Sequence, residues 1–301
     1  MNRSDSFRFL SRVLAVVAVV SLTACGGGGT SVSSLGGLIG GTGFKGPVAG
    51  ATVAAYGLND GVVGVQLGTA KTDANGNFSV SIGSYAGPVM LQLSAGSYMD
   101  EASGLTMPMA SGDVMTAVLP TVAANATVSG IQITPLTSMA QTMAQHLSGG
   151  MTDANITSAN DAVGAYFLVG DIVHMQPMNP LVAGSGSAAP PDAIHYGMAM
   201  AAMSQYAKDL GMASSSAMVT AMMSDASDGI MDGMMGTGRV MMGGMGMGMD
   251  MGMAMPAPAG TSGLASAMST FVASAQNRSG VTLSMMQSLI NRLNSSDGHL
   301  P

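Results

Sequence analysis

The chain has 301 residues, of which 47% are hydrophobic, only 8% are charged and 32 are methionines. Its formal net charge is −7, and the Lys and Arg residues beyond residue 12 are scattered singly along the chain. Nucleic-acid-binding surfaces need clustered basic residues that contact phosphates, so this composition argues against a nucleic-acid partner. Cys25 is the only cysteine, which excludes an intramolecular disulfide and leaves packing to hold the fold together.

The N-terminal residues have the pattern of a bacterial export signal. Arg3, Arg8 and Arg12 precede an apolar stretch at residues 13–20, which is shorter than the ~20 residues that a membrane-spanning helix needs. Small residues follow this stretch and lead to Cys25. The sequence therefore predicts a segment that directs export and is then removed.

Residues 22–25, Leu-Thr-Ala-Cys, resemble the lipobox of bacterial lipoproteins. The resemblance implies that residues 1–24 are cleaved as a signal peptide and that Cys25 becomes the first mature residue, carrying acyl chains such as palmitate. Gly26 rather than an aspartate follows the cysteine, which by resemblance to lipoprotein sorting favours the outer membrane. We therefore expect a protein of the bacterial cell envelope that is bound to the membrane through its lipid anchor. The alternative is an ordinary secretory signal with a chance cysteine.

The next stretches predict a tether followed by a domain of strands. Residues 25–43 are rich in glycine and have no hydrophobic periodicity, which predicts a flexible tether. Over residues 44–133 apolar and polar residues alternate, as at Phe78, Val80 and Ile82, and such runs recur about every ten residues. Because no helical pattern separates these runs, we expect residues 44–133 to form a small antiparallel β-sandwich.

Two short motifs in this region carry a resemblance to a known module. Residues 47–53, PVAGATV, followed by residues 72–78, TDANGNF, resemble the carboxypeptidase regulatory-like (transthyretin-like) domain. The resemblance implies a prealbumin-like sandwich of about 90 residues with a stabilising, spacing or adhesive role. It implies no catalytic residues.

The hydrophobic period changes from two to 3.6 at Thr134 and Pro135, where Thr134 is placed to cap a helix that Pro135 begins. Residues 134–301 are therefore predicted to form an α-helical domain, and the expected fold class of the chain is α+β. The order of motifs here resembles an uncharacterised C-terminal region that follows such sandwiches in exported bacterial proteins, and that resemblance implies no activity. Six helices are predicted, starting at Pro135, near Asp153, at a cap on Asp192, near Ser215, near Leu264 and at a cap on Thr282.

Residues 231–260 are predicted to form a disordered Met/Gly-rich loop, since 11 of the 25 residues from Met231 to Met255 are methionines. Thioethers are soft ligands that prefer Cu(I) or Ag(I). The segment resembles the Met/Gly-rich insertions of periplasmic multicopper oxidases and related copper-resistance proteins, but it lacks their interleaved histidines. The alternatives are general hydrophobic packing or sequence drift, and an oxidant sink. The candidate Cu(I) ligands are Met241, Met242, Met245, Met247, Met249, Met251, Met253 and Met255.

Asp225, Asp228 and Asp232 gather three carboxylates within eight residues at a predicted helix end. Hard oxygen ligands on a tight loop suit Ca²⁺, which makes these residues a candidate calcium site. The spacing does not match an EF-hand, because a glycine falls at a ligand position and no glutamate closes the loop. The alternative is a solvated helix end.

The sequence offers no recognisable catalytic motif. It contains no G-x-S-x-G sequence and no free thiol nucleophile, and it does not indicate which histidine could pair with which serine. We therefore predict a non-catalytic envelope lipoprotein with a structural or binding role towards an unknown protein or envelope partner. The alternative is a periplasmic Cu(I)/Ag(I) buffer, and an enzyme would need a nucleophile and base that the sequence does not reveal.

Overall fold

The computed structural model describes residues 36–242, 253–256 and 260–301. Over these residues the fold is mixed α+β, with mostly antiparallel sheets and six α-helices, as the change of hydrophobic period predicts. Cys25 and the predicted signal peptide lie outside the described residues. None of the described helices is both long and apolar enough to cross a membrane.

In the part of the chain that the structure describes, nine strands come before α1. Their bounds are β1 Gly37–Gly43, β2 Thr52–Asn59, β3 Val62–Lys71, β4 Asn77–Gly83, β5 Gly87–Ser94, β6 Ser97–Met99, β7 Thr106–Pro108, β8 Val114–Val122 and β9 Thr127–Ile133. A four-stranded sheet has the order β3-β2-β5-β8, a three-stranded sheet has the order β4-β1-β9, and β6 pairs with β7. Phe78, Val80 and Ile82 of β4 are buried while the residues between them are exposed, so the predicted period-two strand is confirmed there.

The prediction of a flexible tether is wrong for residues 37–43, the last part of the predicted segment. Gly37–Gly43 form β1, the central strand of the three-stranded sheet, which pairs antiparallel with β4 and parallel with β9. The strands therefore begin before residue 44, and they are not all antiparallel. A side chain at Gly41 would place its Cβ 1.9 Å from the carbonyl oxygen of Ile131, so glycine allows close strand packing here rather than flexibility.

Six α-helices follow within the described ranges, and the first of them begins as predicted. Thr134 and Thr137 form a reciprocal capping box, and Pro135 is the first helical residue. Asp192 is not the cap of the third helix, because that helix begins one residue earlier and the Asp192 carboxylate accepts from Gly170 N at 2.7 Å. The bounds are α1 Pro135–His146, α2 Asp153–Tyr166, α3 Pro191–Asp209, α4 Ser215–Asp225, α5 Gly260–Val272 and α6 Leu283–Ser295.

The sheets and the helices share one hydrophobic core. Helices α1 and α2 pack on β8, α3 contacts α4 and α5, and α5 contacts α6. The described residues form one compact unit, and their buried apolar side chains make one continuous cluster that extends from Ile39 of β1 to Leu300, beyond α6. The change of period at Thr134 therefore marks a change of secondary structure inside one unit.

The expectation of a disordered Met/Gly-rich loop is wrong for the part of residues 231–260 that the structure describes. Short strands pair here, with β10 (Met234–Met235) against β11 (Gly238–Arg239) and β12 (Met241–Met242) against β13 (Met253–Ala254). Met231, Met242 and Met255 are buried. Flexible thioether side chains fill irregular gaps well, so these methionines serve as core residues.

Candidate functional site: a buried lysine cluster

Lys45 is buried although it carries a charge, with 1% of its surface exposed. It lies in the turn that follows β1, where Phe44 forms an isolated bridge with Pro47. Gly46 in this turn has a φ of +59°, and a Cβ there would lie 2.6 Å from the carbonyl oxygen of Met99. A glycine at this position therefore lets the turn pack against β6 and direct Lys45 inward.

The Lys45 ammonium uses all three of its hydrogens inside the protein. It donates to Oε2 of Glu101 at 2.8 Å, to Oγ of Ser204, and to Oγ of Ser215 at 3.3 Å. Its Nζ also lies 5.2 Å from the centre of the Tyr98 ring. Buried charges need this degree of pairing, because removal from water is costly unless hydrogen bonds replace the lost hydration.

These partners come from distant parts of the chain. Tyr98 belongs to β6 and Glu101 lies just after that strand, whereas Ser204 is in α3 and Ser215 is the first residue of α4. The cluster therefore joins the turn after β1 and the β6–β7 hairpin to two helices.

Each serine hydroxyl in the cluster donates to a carboxylate. Ser215 donates to Oδ2 of Asp100 at 2.6 Å, and Ser204 donates to Oε2 of Glu101. Ser216 donates in the same way to Oδ2 of Asp113. We define the buried lysine cluster as Lys45, Tyr98, Asp100, Glu101, Asp113, Ser204, Ser215 and Ser216.

The electrostatics keep the central groups charged. Burial alone would lower the pKa of Lys45, but the Glu101 carboxylate, together with Tyr98 and Asp100, raises it above its ordinary value. Burial would raise the pKa of Asp100, but the Lys45 ammonium and hydrogen bonds from Ser215 and Ser103 hold it below its usual range. Near neutral pH, Lys45 therefore stays protonated and Asp100 stays deprotonated.

This arrangement does not activate a nucleophile. A serine becomes nucleophilic when a neighbouring base accepts its proton. Lys45 keeps its proton, and the lowered pKa of Asp100 makes its carboxylate a weak base for Ser215. The geometry therefore favours a fixed, charge-paired cluster over an acid–base pair.

A groove of about 250 Å³ opens beside the cluster. Its walls are the turn after β6, the C-terminal part of α3 and the loop that leads into α4. Asp100, Ser204 and Ser215 of the cluster line it, together with Ser103 and Lys208. Three of the eight cluster residues therefore border this groove.

Of the predicted Cu(I) ligands that the structure describes, two are exposed and two are buried. Met241 is 54% exposed and Met253 is 46% exposed, whereas Met242 and Met255 are buried. In the β12–β13 ladder, Met242 lies opposite Met253. The other candidates, Met245, Met247, Met249 and Met251, lie outside the described residues.

The structure does not gather the three predicted calcium ligands around a common point. Asp225 accepts from Gly233 N at 2.7 Å, Asp228 from Gly236 N at 2.7 Å, and Asp232 from Met234 N at 2.9 Å. Within the described ranges no group of three His, Cys, Asp or Glu side chains could hold a metal ion. These carboxylates instead fix the backbone of the turn.

Asp225, one of these three carboxylates, has an unusual environment. Asp225 is fully buried, and its Oδ2 atom has no hydrogen-bond partner among the described residues. Burial raises the pKa of Asp225 to about 7, against a hydrogen bond from Gly233, and the nearby Asp232 and Asp228 carboxylates raise it further.

Sequence reasoning missed the buried lysine cluster. Lys45 and Glu101 are 56 residues apart, and Lys45 and Ser204 are 159 residues apart, so no local spacing connects them. One signal was available in the sequence. Only 8% of the residues are charged, so the adjacent carboxylates Asp100 and Glu101 are unusual and mark this region as a candidate site.

Comparisons with known proteins do not assign a family to this fold and cluster. No protein-family model matches the chain, and no curated protein sequence matches it either. The resemblances to lipoproteins and to the carboxypeptidase regulatory-like domain therefore stay predictions.

Proposed function

We propose that the chain is a lipid-anchored envelope lipoprotein with a non-catalytic structural or binding role, placed at the outer membrane by Cys25. The observation that carries the non-catalytic role is the buried lysine cluster, in which the Lys45 ammonium is paired with Glu101, the pKa of Lys45 is raised and the pKa of Asp100 is lowered. Such a cluster stabilises one arrangement of the sheets and helices. Beside it lies a groove of about 250 Å³, lined by polar and apolar side chains, which is a candidate binding surface.

We further propose that the two sheets form a prealbumin-like sandwich. Strands β3 and β4 are consecutive in the sequence and belong to different sheets, and they are in contact with each other. Each sheet buries apolar residues, with Ile39 and Val80 in one and Val53 and Leu91 in the other. Two sheets that bury one face each against a common core are what this architecture requires.

The lipid anchor is tested by Cys25→Ser. The variant should lose its acyl chains and move from the membrane fraction to the soluble envelope fraction, because the attachment thiol is gone. The measurement is cell fractionation combined with the intact mass of the purified protein. Thr23→Ser, which keeps the cysteine and a small residue before it, is the control and should stay with the membrane. Wild-type protein that is soluble and unacylated would contradict the proposal.

A second candidate function is Cu(I) or Ag(I) binding. The observation that favours it is that two of the candidate ligands, Met241 and Met253, are exposed on the paired strands β12 and β13. Soft sulfur ligands would select these ions over Zn²⁺ or Ca²⁺.

Replacing the exposed Met241 and Met253 and the four methionines Met245, Met247, Met249 and Met251 with leucine should abolish Ag(I) binding measured by calorimetry. Stability should change little, since leucine is similar in volume. Binding by the wild type should not vary with pH above about 3, because thioethers need no deprotonation. Leucine at the buried Met200 and Met203 of α3 is the control. Retained Ag(I) binding in the six-residue variant would rule this function out.

A further inference from the structure

Strand β3 carries an exposed apolar patch. Val62, Val63 and Val65 expose 62%, 43% and 67% of their surface, although valine is among the residues that proteins bury most often. β3 is an edge strand, because it stands first in the sheet order β3-β2-β5-β8. We define the valine patch as Val62, Val63 and Val65. Single exposed apolar residues are common, whereas a contiguous group of them marks a surface that contacts another apolar body.

The rest of the fold covers only the other half of β3. A Cβ at Gly68 would lie 2.2 Å from the carbonyl oxygen of Ser81, so β4 approaches β3 closely there. The turn between β2 and β3 is fixed to the loop that follows α1, because the amide of Met151 donates to the carbonyl oxygen of Gly61 at 2.8 Å. The fold therefore presents the valine patch at a fixed place on its surface.

The valine patch lies at the end of the sheets where β1 begins. Gly37, the first residue of β1, pairs with Gly83 at the end of β4. Two residues further on, the Tyr85 hydroxyl donates to the carbonyl oxygen of Leu58, near the end of β2, at 2.9 Å. Leu58 in turn pairs with Val63. The start of β1 and the valine patch are therefore at the same end of the sheets.

This position has a consequence for a chain that is anchored through Cys25. Cys25 and Gly37 are twelve positions apart in the sequence. Twelve residues span at most about 43 Å, even when the chain is fully extended. An acylated Cys25 would therefore keep the end of the sheets that carries the valine patch close to the lipid.

The charges near the patch indicate which lipid surface it fits. Lys71 is the one charged residue of β3 and lies at the end away from the valines, whereas Asp60 lies in the turn next to them. The sequence has no lysine or arginine at residues 46–70. Basic residues attract proteins to anionic lipids, and an aspartate is repelled by them. The valine patch therefore fits a zwitterionic lipid surface, which it would contact through apolar groups.

A second copy of the chain fits the patch less well. An edge strand can pair with the edge of another molecule if both edges are regular. The pairing of β3 with β2 shifts register twice, between Ala55 and Tyr56 and between Tyr56 and Leu58. Such irregularities twist an edge strand and discourage pairing between edges. Insertion of side chains into lipid requires no regular backbone edge.

We propose that the valine patch rests on the membrane that holds the lipid anchor, with its three side chains among the headgroups and first methylenes of zwitterionic phospholipids. The inference rests on the anchor proposed above and specifies which face of the protein meets the membrane. Three valines give a weak contact compared with acyl chains, so the acyl chains decide whether the protein fractionates with the membrane.

The test labels one residue at a time in the acylated full chain. Cys25 is the only cysteine and its thiol would be blocked by acylation, so an introduced cysteine can be labelled alone. Val65→Cys is labelled with the fluorophore NBD, and the protein is reconstituted into vesicles of phosphatidylethanolamine and phosphatidylcholine. The label should show blue-shifted emission and should be quenched by spin-labelled lipids, because residue 65 lies in the lipid interface.

Leu105→Cys is the matched control. Leu105 is 66% exposed, much like Val65, but it lies between β6 and β7, which follow the other end of β5. Its label should remain in water. A label at residue 65 that stays in water, or equal quenching at residues 65 and 105, would overturn the proposal.

A double substitution tests the patch itself. Val62→Ser with Val63→Ser, in the Val65→Cys chain, should reduce the quenching severalfold, because the side chains beside the label no longer favour an apolar environment. Leu105→Ser in the same chain should leave the quenching unchanged. Emission that shifts as protein density rises, without quenching by spin-labelled lipids, would mean that a second copy covers the patch and would refute the membrane contact.

The anchor and the membrane contact fail in different ways. Protein that carries acyl chains and stays with the vesicles, but whose label at residue 65 remains in water, refutes the contact and keeps the anchor. If the intact mass of the wild type shows no acyl chain, the anchor is refuted, and the label on Val65→Cys combined with Cys25→Ser tests the contact with added vesicles. Quenching there keeps the contact, and its absence refutes it.

Discussion

Replacing Lys45 with methionine should lower the free energy of unfolding by about 3–5 kcal/mol, the usual cost of removing one partner from a buried ion pair. The ammonium donates to Glu101 and to two serines in helices, and its side chain is 2% exposed. Methionine fills a similar volume, so the loss should come from the unpaired carboxylates rather than from a cavity. Urea unfolding followed by circular dichroism measures it.

Two further variants make this result specific. Lys71→Met removes an exposed lysine whose hydrogen bond goes to Thr52, and it should change stability by no more than about 0.5 kcal/mol. The double variant Lys45→Met with Glu101→Gln should regain part of the loss, because it leaves one buried carboxylate fewer without a partner. If Lys45→Met is as stable as Lys71→Met, the buried lysine cluster does not hold the fold together.

The second large effect concerns pH. The folded protein raises the pKa of Asp225 to about 7, whereas the unfolded chain has the ordinary value near 3.9. The folded state therefore holds a proton that the unfolded state has released between about pH 4 and pH 7. Stability is greatest below this window and falls as pH rises through it, by about 1.4 kcal/mol per pH unit and on the order of 4 kcal/mol in total.

Asp225→Asn should abolish this fall, since the amide stays neutral at every pH and can still accept from Gly233 N. The variant should match the wild type near pH 4 and become more stable than it above pH 7. Unfolding curves from pH 4 to pH 8 measure the difference. Asp228→Asn changes an exposed carboxylate in the same turn and should retain most of the fall. A wild type whose stability rises from pH 4 to pH 7 in step with Asp225→Asn would refute this account of Asp225.

The local elements were largely predictable from the sequence. The start of α1 follows from Thr134 and Pro135, because a hydroxyl before a proline satisfies the free amides of a first turn. The strand at Phe78, Val80 and Ile82 follows in the same way from strict alternation. Both signals act over a few residues, so a single sequence contains them.

The predictions of a tether and of a disordered Met/Gly-rich loop were wrong because glycine and methionine can each have two structural roles. Glycine in Gly37–Gly43 allows close packing of strands, but the same residues are typical of flexible linkers. Methionine at 242 and 255 fills the core, although it could equally be a soft ligand at the surface. Only the tertiary structure shows which use applies.

The candidate site could not be predicted for a different reason. The tertiary fold brings together Lys45, Glu101 and Ser204, which are far apart in the sequence. No local sequence pattern predicts these contacts. Rare charged residues in such a sequence suggest that some of them form ion pairs. The sequence does not show which residue pairs with which.

The most direct test of the central claim, that the buried lysine cluster joins sheets and helices into one fixed structure, is the urea unfolding of the wild type followed by hydrogen exchange in each part. The claim predicts that β1–β9 and α1–α6 lose protection together, in one transition with one midpoint. Separate midpoints for the strands over residues 37–133 and the helices over residues 135–295 would show two independently stable parts, and would contradict it.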